Sequence, residues 1–519
     1  SQRCKTFRFF PSDLVTMTPF YQSSLAAISA IDWGVILLYA IGMVGVGLYF
    51  SRKINNTEDY LLGGRKMNPL MVGLSLFASL LSTISYLSYP GEMIRYGPMF
   101  ITGALAFPFV IFVVGSFMIP YFMKLRVTSA YEILEQRLGL SIRLLGSSLF
   151  TLIRLFWMAV IIHATTDKVL VPVLDLGESW TVPICILMGI VTIIYTSLGG
   201  LRAVVFTDVI QSGILFGGGI LTVAIVASKL GSVGELWPAE WPQHWEKPNW
   251  GFDPEARMSL VSMFLAVFCW HTCTAGSDQV VIQRYFATRD IKGARRVLVI
   301  NLVADFLAML LMAMVGLALI AYFTANSHML EANQSLANSS DQLFPKFIST
   351  GLPVGLTGLV ISGLLAAAMS SLSSGMNSTS SVITSDFVLL FRSVEPDEKS
   401  KIVIARWISV IIGLVVVVLS LIVEHVSGNL FEVANKVVNL FVAPLFVLFF
   451  LAMFVKSTNA IGVWCGALTS ITVAVLIAFW KEMTGVEGIS FLWIMPAAFI
   501  LGTLVGAIAS LAFKAKRES

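Results

Sequence analysis

Charge is what this chain has least of. Of its 519 residues, 12% are Asp, Glu, Lys or Arg, about half the roughly 25% that soluble domains carry. With 57% hydrophobic residues and a mean hydropathy of +0.84, a soluble enzyme is excluded. Cysteine is scarce too. Cys4, Cys185, Cys269, Cys273 and Cys465 make no metal spacing. Cys269 and Cys273, one helical turn apart in an apolar segment, read as small packing residues. The histidines His163, His244, His271, His328 and His425 are scattered, so no acid–base or metal constellation is in view and no enzyme is expected. The net charge of +4 is small, and the basic residues sit in loops, which leaves no footprint for nucleic acid. Residues 1–25 are polar and mixed, without the basic end and apolar core of a signal peptide. The first span is expected to insert directly.

What the chain has in abundance is apolar runs. A transmembrane helix needs about 20 mostly apolar residues, and thirteen stretches qualify: 31–51, 69–91, 99–123, 142–171, 180–198, 202–229, 258–282, 293–323, 352–384, 402–424, 429–455, 459–480 and 490–513. The fold class is therefore an all-α integral membrane protein. One alternate set of loops, with the C-terminal Lys514, Lys516 and Arg517, holds 22 Lys and Arg; the opposite set holds seven. By the positive-inside rule the richer side is cytoplasmic. The expected topology is an outside N-terminal tail (1–30) and a cytoplasmic C-terminal tail (514–519), in a plasma or inner membrane. The outer loop 230–257 carries Trp237, Trp241, Trp245 and Trp250, an interfacial cap. Asn333 and Asn338 begin glycosylation sequons in another outer loop and carry no functional weight.

Polar groups concentrated in an apolar span need an explanation, because lipid offers them no partners. In the second span Ser75, Ser79, Ser82 and Ser85 follow at three or four residues, on one helical face, before Pro90 and Gly91. Serines also serve close helix packing. A run of four ending in Pro-Gly reads as a locally unwound helix lining a polar cavity. Unwinding there frees carbonyls near Ala78 and Leu81 that can bind a cation. In the ninth span Ala367, Ser370, Ser371, Ser374 and Ser378 share a face. A monovalent hard cation such as Na⁺ takes several neutral oxygens, and the two spans together supply them. Asp208 sits just inside a span, either as a first-turn acid favoured by the helix dipole or as a charged cation ligand. Arg154 lies deeper and needs an internal partner; Lys436 is near an outer end, where its stem can snorkel.

Four ordered segments carry a resemblance: 59–67, Gly199 to Gln211, Gln283 to Tyr285, and Met369 to Ser378. Together they look like the sodium:solute symporter family, which includes Na⁺-coupled sugar, proline, sialic acid, iodide, monocarboxylate and vitamin transporters. The resemblance covers roughly residues 30 to 510. It implies a LeuT-type core of two five-helix inverted repeats, spans two to six and seven to eleven, with the second and seventh spans discontinuous. Segment 31–51 would be a peripheral first helix. Segment 69–282 would hold the first repeat and the start of the second, 293–455 the rest of the second, and 459–513 two peripheral helices. The break of the seventh span falls at Trp270 to Asp278.

By resemblance, Na⁺ is the coupling ion. A first Na⁺ is held by carbonyls of Ala78, Leu81 and Ala367 and hydroxyls of Ser370 and Ser371. A second set, Asp208, Ser373 and Ser374, matches a further Na⁺ site of members similar to the bacterial sialic acid transporters, so two Na⁺ per cycle are expected. Ser82, Ser85 and Phe100 match that branch's substrate positions. Trp157 aligns with its carboxylate-binding arginine and Ala104 with a glutamine, while Tyr89 to Gly97 resembles the monocarboxylate and vitamin branch. Asn435 matches a hydrogen-bonding amide of sugar transporters, and Asp278 completes the candidate substrate set. The expected function is Na⁺-coupled symport of a small polar organic solute, a sugar, sialic acid or related compound, by a monomer. The alternatives are a monocarboxylate or vitamin symporter, or a solute sensor or channel of the same fold, which long cytoplasmic extensions would favour.

Overall fold

A computed structural model describes residues 28–125, 127–423, 430–486 and 488–513. Cys4, His425, most of the N-terminal tail and the tail residues Lys514, Lys516 and Arg517 lie outside the described residues. The secondary structure of the described residues is helical throughout. A first helix, α1 (Ala30–Ser51), starts at a capping box in which Ser29 and Asp32 exchange side-chain and backbone bonds; each satisfies an amide that the first turn leaves free. Leu37, Leu38 and Ile41 stay exposed, as lipid-facing positions should.

The second span is broken. α2 (Pro69–Leu80) and α3 (Thr83–Tyr96) meet at 69°. Leu81 and Ser82 are extended between them. Ser82 caps α3, accepting from the Ser85 amide, and the Thr83 hydroxyl donates to Leu364 O at 2.8 Å. α4 (Pro98–Met123) opens with a nine-residue 3-10 stretch, Pro98–Ala106. α5 (Leu140–Val173) is followed by α6 (Glu178–Leu230). The 50 helical residues of Thr181–Leu230 would extend about 75 Å if straight, far more than a bilayer core of about 30 Å. They turn at Gly200, whose φ of 57° and ψ of −160° leave the helix. That region is open essentially to glycine alone.

α7 (Leu260–Ser277) ends at Asp278, whose extended backbone (φ −83°, ψ 124°) separates it from α8 (Gln279–Phe286). Asp278 Oδ1 accepts from the Val280 amide at 2.8 Å and caps α8. Then come α9 (Ile291–Ala325), α10 (Leu356–Leu389), α11 (Glu398–Ile422), α12 (Leu430–Phe454), α13 (Ala460–Ala478) and α14 (Ile494–Ala512).

All thirteen apolar stretches hold helix among the described residues. Ten helices there are long and apolar enough to cross a membrane, and the bent α2–α3 pair makes eleven. One of the ten, α6, carries both 180–198 and 202–229, on either side of the turn at Gly200, and the 25-residue α12 carries the stretch 429–455. Among these ten helices the most buried is α10, where 83% of the apolar window is covered. It packs against α1, α2, α5, α6 and α11, so its hydroxyls face protein and not lipid. Of the four tryptophans in the loop 230–257, Trp237, Trp241 and Trp250 are exposed. Trp245 is buried, its indole N–H donating to Ile94 O at 3.0 Å.

Candidate functional site

The break in the second span makes the site. The Leu81 amide closes the last turn of α2 on Phe77 O, so the carbonyls of Ala78 to Leu81 lose their helical donors. α10 meets them with hydroxyls. Ser370 Oγ donates to Ala78 O at 2.8 Å and lies 3.1 Å from Ala367 O. Ser371 Oγ lies 3.3 Å from Leu81 O. The five residues of the first set thus meet across the α2–α10 contact in two neighbouring groups, all buried. Three carbonyls and two hydroxyls, with no charge among them, suit a monovalent hard cation.

The second set is brought together in part. Asp208, fully buried on α6, has Oδ2 2.6 Å from Ser75 Oγ and 3.3 Å from Ser374 Oγ. Ser79 Oγ lies 2.7 Å from Ser374 Oγ. Ser373 turns away from the carboxylate, its hydroxyl bonding Ser370 O at 3.1 Å. The cluster also holds a residue that the sequence reading placed in the Gln283 to Tyr285 segment and counted as a loop base, without a role in the site. Arg284 of α8 is fully buried, with Nη2 3.2 Å from Asp208 Oδ2. Its signal was available, because a lone arginine beside apolar Val280 to Ile282 needs a partner inside the protein.

Beside the first set a cavity of about 190 Å³ opens between the two breaks. Ser85, Phe100, Trp157, Asp278 and Asn435 all line it; Ser82 does not, being spent on the cap of α3. Asn435 donates to Phe431 O at 2.8 Å. Tyr89 stacks on Phe100 with ring centres 5.7 Å apart. Arg154 enters the cavity from α5 and pairs with Asp278 at the break of the seventh span. Lys436 takes a different course, pairing with Glu432 at 3.0 Å and Glu482 at 3.8 Å.

One lining residue escaped the sequence reading. Asp305 is the one acid in the apolar run 297–325, and His271 Nε2, also on the cavity wall, lies 3.4 Å from its carboxylate. A single acid in a span is itself a functional signal.

The two ends of the cavity are tied down differently. Toward the Trp-rich end, the α3 residue Glu92 is fully buried and holds Arg257 of the Trp loop, Nη2 to Oε2 at 2.9 Å. Toward the arginine-rich end, α8 is bound to its surroundings by amide contacts. Gln279 Nε2 donates to Thr128 O at 2.9 Å and its Oε1 accepts from the Ala130 amide at 2.8 Å. Gln283 Nε2 donates to Leu61 O at 2.6 Å. Behind them Asp386, fully buried, accepts from Arg143 at 2.6 Å and from Ser129 and Ser147.

Comparison with known proteins matches this architecture. The model of the "Sodium:solute symporter family" matches residues 60–470. The sodium/sialic acid symporter SiaT of Proteus mirabilis is 30% identical over 455 residues, 86% of this chain and 89% of that protein. The sodium-dependent multivitamin transporter of Oryctolagus cuniculus is 28% identical over 482 residues, 90% of this chain and 71% of that protein. A solved structure of a Na⁺-coupled sialic acid symporter in a substrate-bound outward-open state superposes with a TM-score of 0.79. It has 28% identity and covers 93% of this chain and 98% of that chain. The fold is thus the LeuT-type helical bundle with broken second and seventh spans, and the family is one of transporters rather than enzymes. The chain belongs to the sodium:solute symporter family and is a Na⁺-coupled, multi-pass membrane transporter.

Proposed function

We propose that this protein imports a small polar organic solute, a sugar, a sialic acid or a related acid, with Na⁺ bound at the first set. The observation that carries the reading is the meeting of Ser370 and Ser371 with the carbonyls released at the α2–α3 break. An ion there joins α2 to α10 and braces the two against each other. Solute binding next to that brace makes the two affinities reciprocal, which is the thermodynamic content of coupling. Alternating access then follows from rocking of the bundle around a midplane site. The membrane potential adds about 2.3 kcal/mol per charge per 100 mV, so Na⁺ entry is electrogenic with a neutral solute.

Arg154 supports a carboxylate on the solute. A guanidinium matches a carboxylate with two parallel N–H bonds, and this one reaches the cavity one helical turn from Trp157, where the sialic acid branch places its arginine. The arginine-rich end is assigned to the cytoplasm by its loops, with the N-terminus outside and the C-terminus inside a plasma membrane. The protein acts as a monomer, since one chain supplies the cavity and both oxygen clusters. A second reading is a monocarboxylate or vitamin-type solute. The apolar cavity wall of Phe77, Phe100, Phe156, Trp157 and Phe431 favours it.

The test is uptake into proteoliposomes of labelled sugars, sialic acid, short monocarboxylates and vitamins, under an inward Na⁺ gradient or with K⁺ in its place. Na⁺-dependent accumulation of one compound above equilibrium is expected. Equal uptake of that compound in K⁺, without accumulation, would sink symport.

A further inference from the structure

A cation of the protein's own already stands in the acid cluster that the resemblance marks for a second Na⁺. Asp208 and Arg284 are both fully buried and joined at 3.2 Å. The guanidinium is held on nearly every side. Its Nη2 donates to Ser79 Oγ and Ser374 Oγ at 2.6 Å each, its Nε to Ser75 Oγ at 3.1 Å, and its Nη1 to Val280 O at 2.9 Å. Four helices, α2, α6, α8 and α10, contribute to this one knot. Its donors take up the very hydroxyls, of Ser374 and its neighbours Ser75 and Ser79, that a metal ion would need.

Charge gives the same answer. A buried carboxylate needs one positive partner, and Arg284 supplies it. A Na⁺ added beside it would set two cations around one carboxylate in an apolar interior, with no bulk water to screen them. The donor set therefore does not fit a second Na⁺ while Arg284 is in place. The remaining expected ligand does not help, because the Ser373 hydroxyl is bonded to Ser370 O instead.

We propose that Arg284 takes the place of the second Na⁺, as a tethered cation of the Asp208 cluster, so that one Na⁺ accompanies each solute. The advantage of a tethered ion is that it cannot leave. The carrier returns empty without exposing a bare buried carboxylate, and Asp208 stays neutralised through the whole cycle. The cluster nevertheless retains an unused acceptor. Asp208 Oδ1 is buried without a hydrogen-bond partner among the described residues. With the guanidinium gone, Oδ1 and the three hydroxyls would form a site for a small cation.

This inference rests on the reading of the first set as a Na⁺ site, and the test separates the two. Na⁺ bound per molecule is counted with ²²Na⁺ on the purified full-length chain, without solute. One Na⁺ is expected for the parent, and its loss in Ser371→Ala identifies it with the first set. Arg284→Met should bind two, and Arg284→Met with Asp208→Asn should return to one. Arg284→Lys, which keeps the charge and most of the packing, should bind one and guards against misfolding of the methionine variant. Two Na⁺ in the parent would overturn the proposal. So would a single Na⁺ in a folded Arg284→Met.

Discussion

Ser371→Ala tests the first cation set most directly. The side chain is 5% exposed and its hydroxyl has a single contact, Leu81 O at 3.3 Å. Losing a neutral bond of that length costs about 1 kcal/mol of stability or less, so the fold persists. Losing one of five oxygens around an ion is a larger matter. A contact to a charged partner contributes about 1.5–3 kcal/mol, and each 1.4 kcal/mol is tenfold in affinity. The Na⁺ concentration for half-maximal uptake should therefore rise on the order of 10- to 100-fold, with little change in the maximal rate once Na⁺ saturates. Initial uptake rates across a Na⁺ series in proteoliposomes measure this. Na⁺-dependent thermal stabilisation of the solute-free protein gives a second reading of the same constant. The control is Ser362→Ala on the same helix, which removes only a bond to Gly358 O at 2.8 Å. Should Ser371→Ala shift the Na⁺ dependence no more than Ser362→Ala does, Ser371 is not a ligand and the reasoning from the helix break fails.

Arg154→Ala leaves Asp278 without its partner in a largely covered cavity, a loss of about 3–5 kcal/mol for a buried pair. Uptake at fixed solute concentration should fall at least a hundredfold. Asp278→Asn removes Arg154's competitor while preserving the cap on Val280, since Asn caps as well as Asp; KM for a carboxylate solute should fall, and an unchanged KM would place the carboxylate elsewhere. Gly200→Ala puts a Cβ 2.5 Å from Tyr60 O at a backbone angle that alanine resists, with strain on the order of 1–3 kcal/mol. A lower melting temperature or failed expression is expected, whereas Gly213→Ala, with nothing within 4 Å, should be silent. Asp386→Asn strips the buried Arg143 of one of its two carboxylate partners, and thermal unfolding of the purified protein should drop by several degrees.

Much of this protein was legible because the bilayer imposes so simple a rule. Every apolar stretch long enough to span became a helix, and Asp208, Arg154 and the hydroxyls of Ser370 and Ser371 stood out against lipid-like surroundings where polar groups need a reason. The break after Leu80 was foreseen from the serine run and Pro90, although the proline itself lies inside α3 and the actual break is made by extended Leu81 and Ser82. Local sequence alone thus determined which elements form and which of them carry chemistry. What it could not determine was how the chemistry pairs up. The turn between 180–198 and 202–229 depends on a single glycine, Gly200. Of the neighbours Ser373 and Ser374, the hydroxyl of Ser374 meets Asp208 while that of Ser373 bonds Ser370 O. Arg154 with Asp278, and Arg284 with Asp208, are separated by 124 and 76 residues. Tertiary packing alone chose those partners, since a buried charge takes whichever opposite charge the assembled helices bring within reach, and nothing in the linear order specifies that distance.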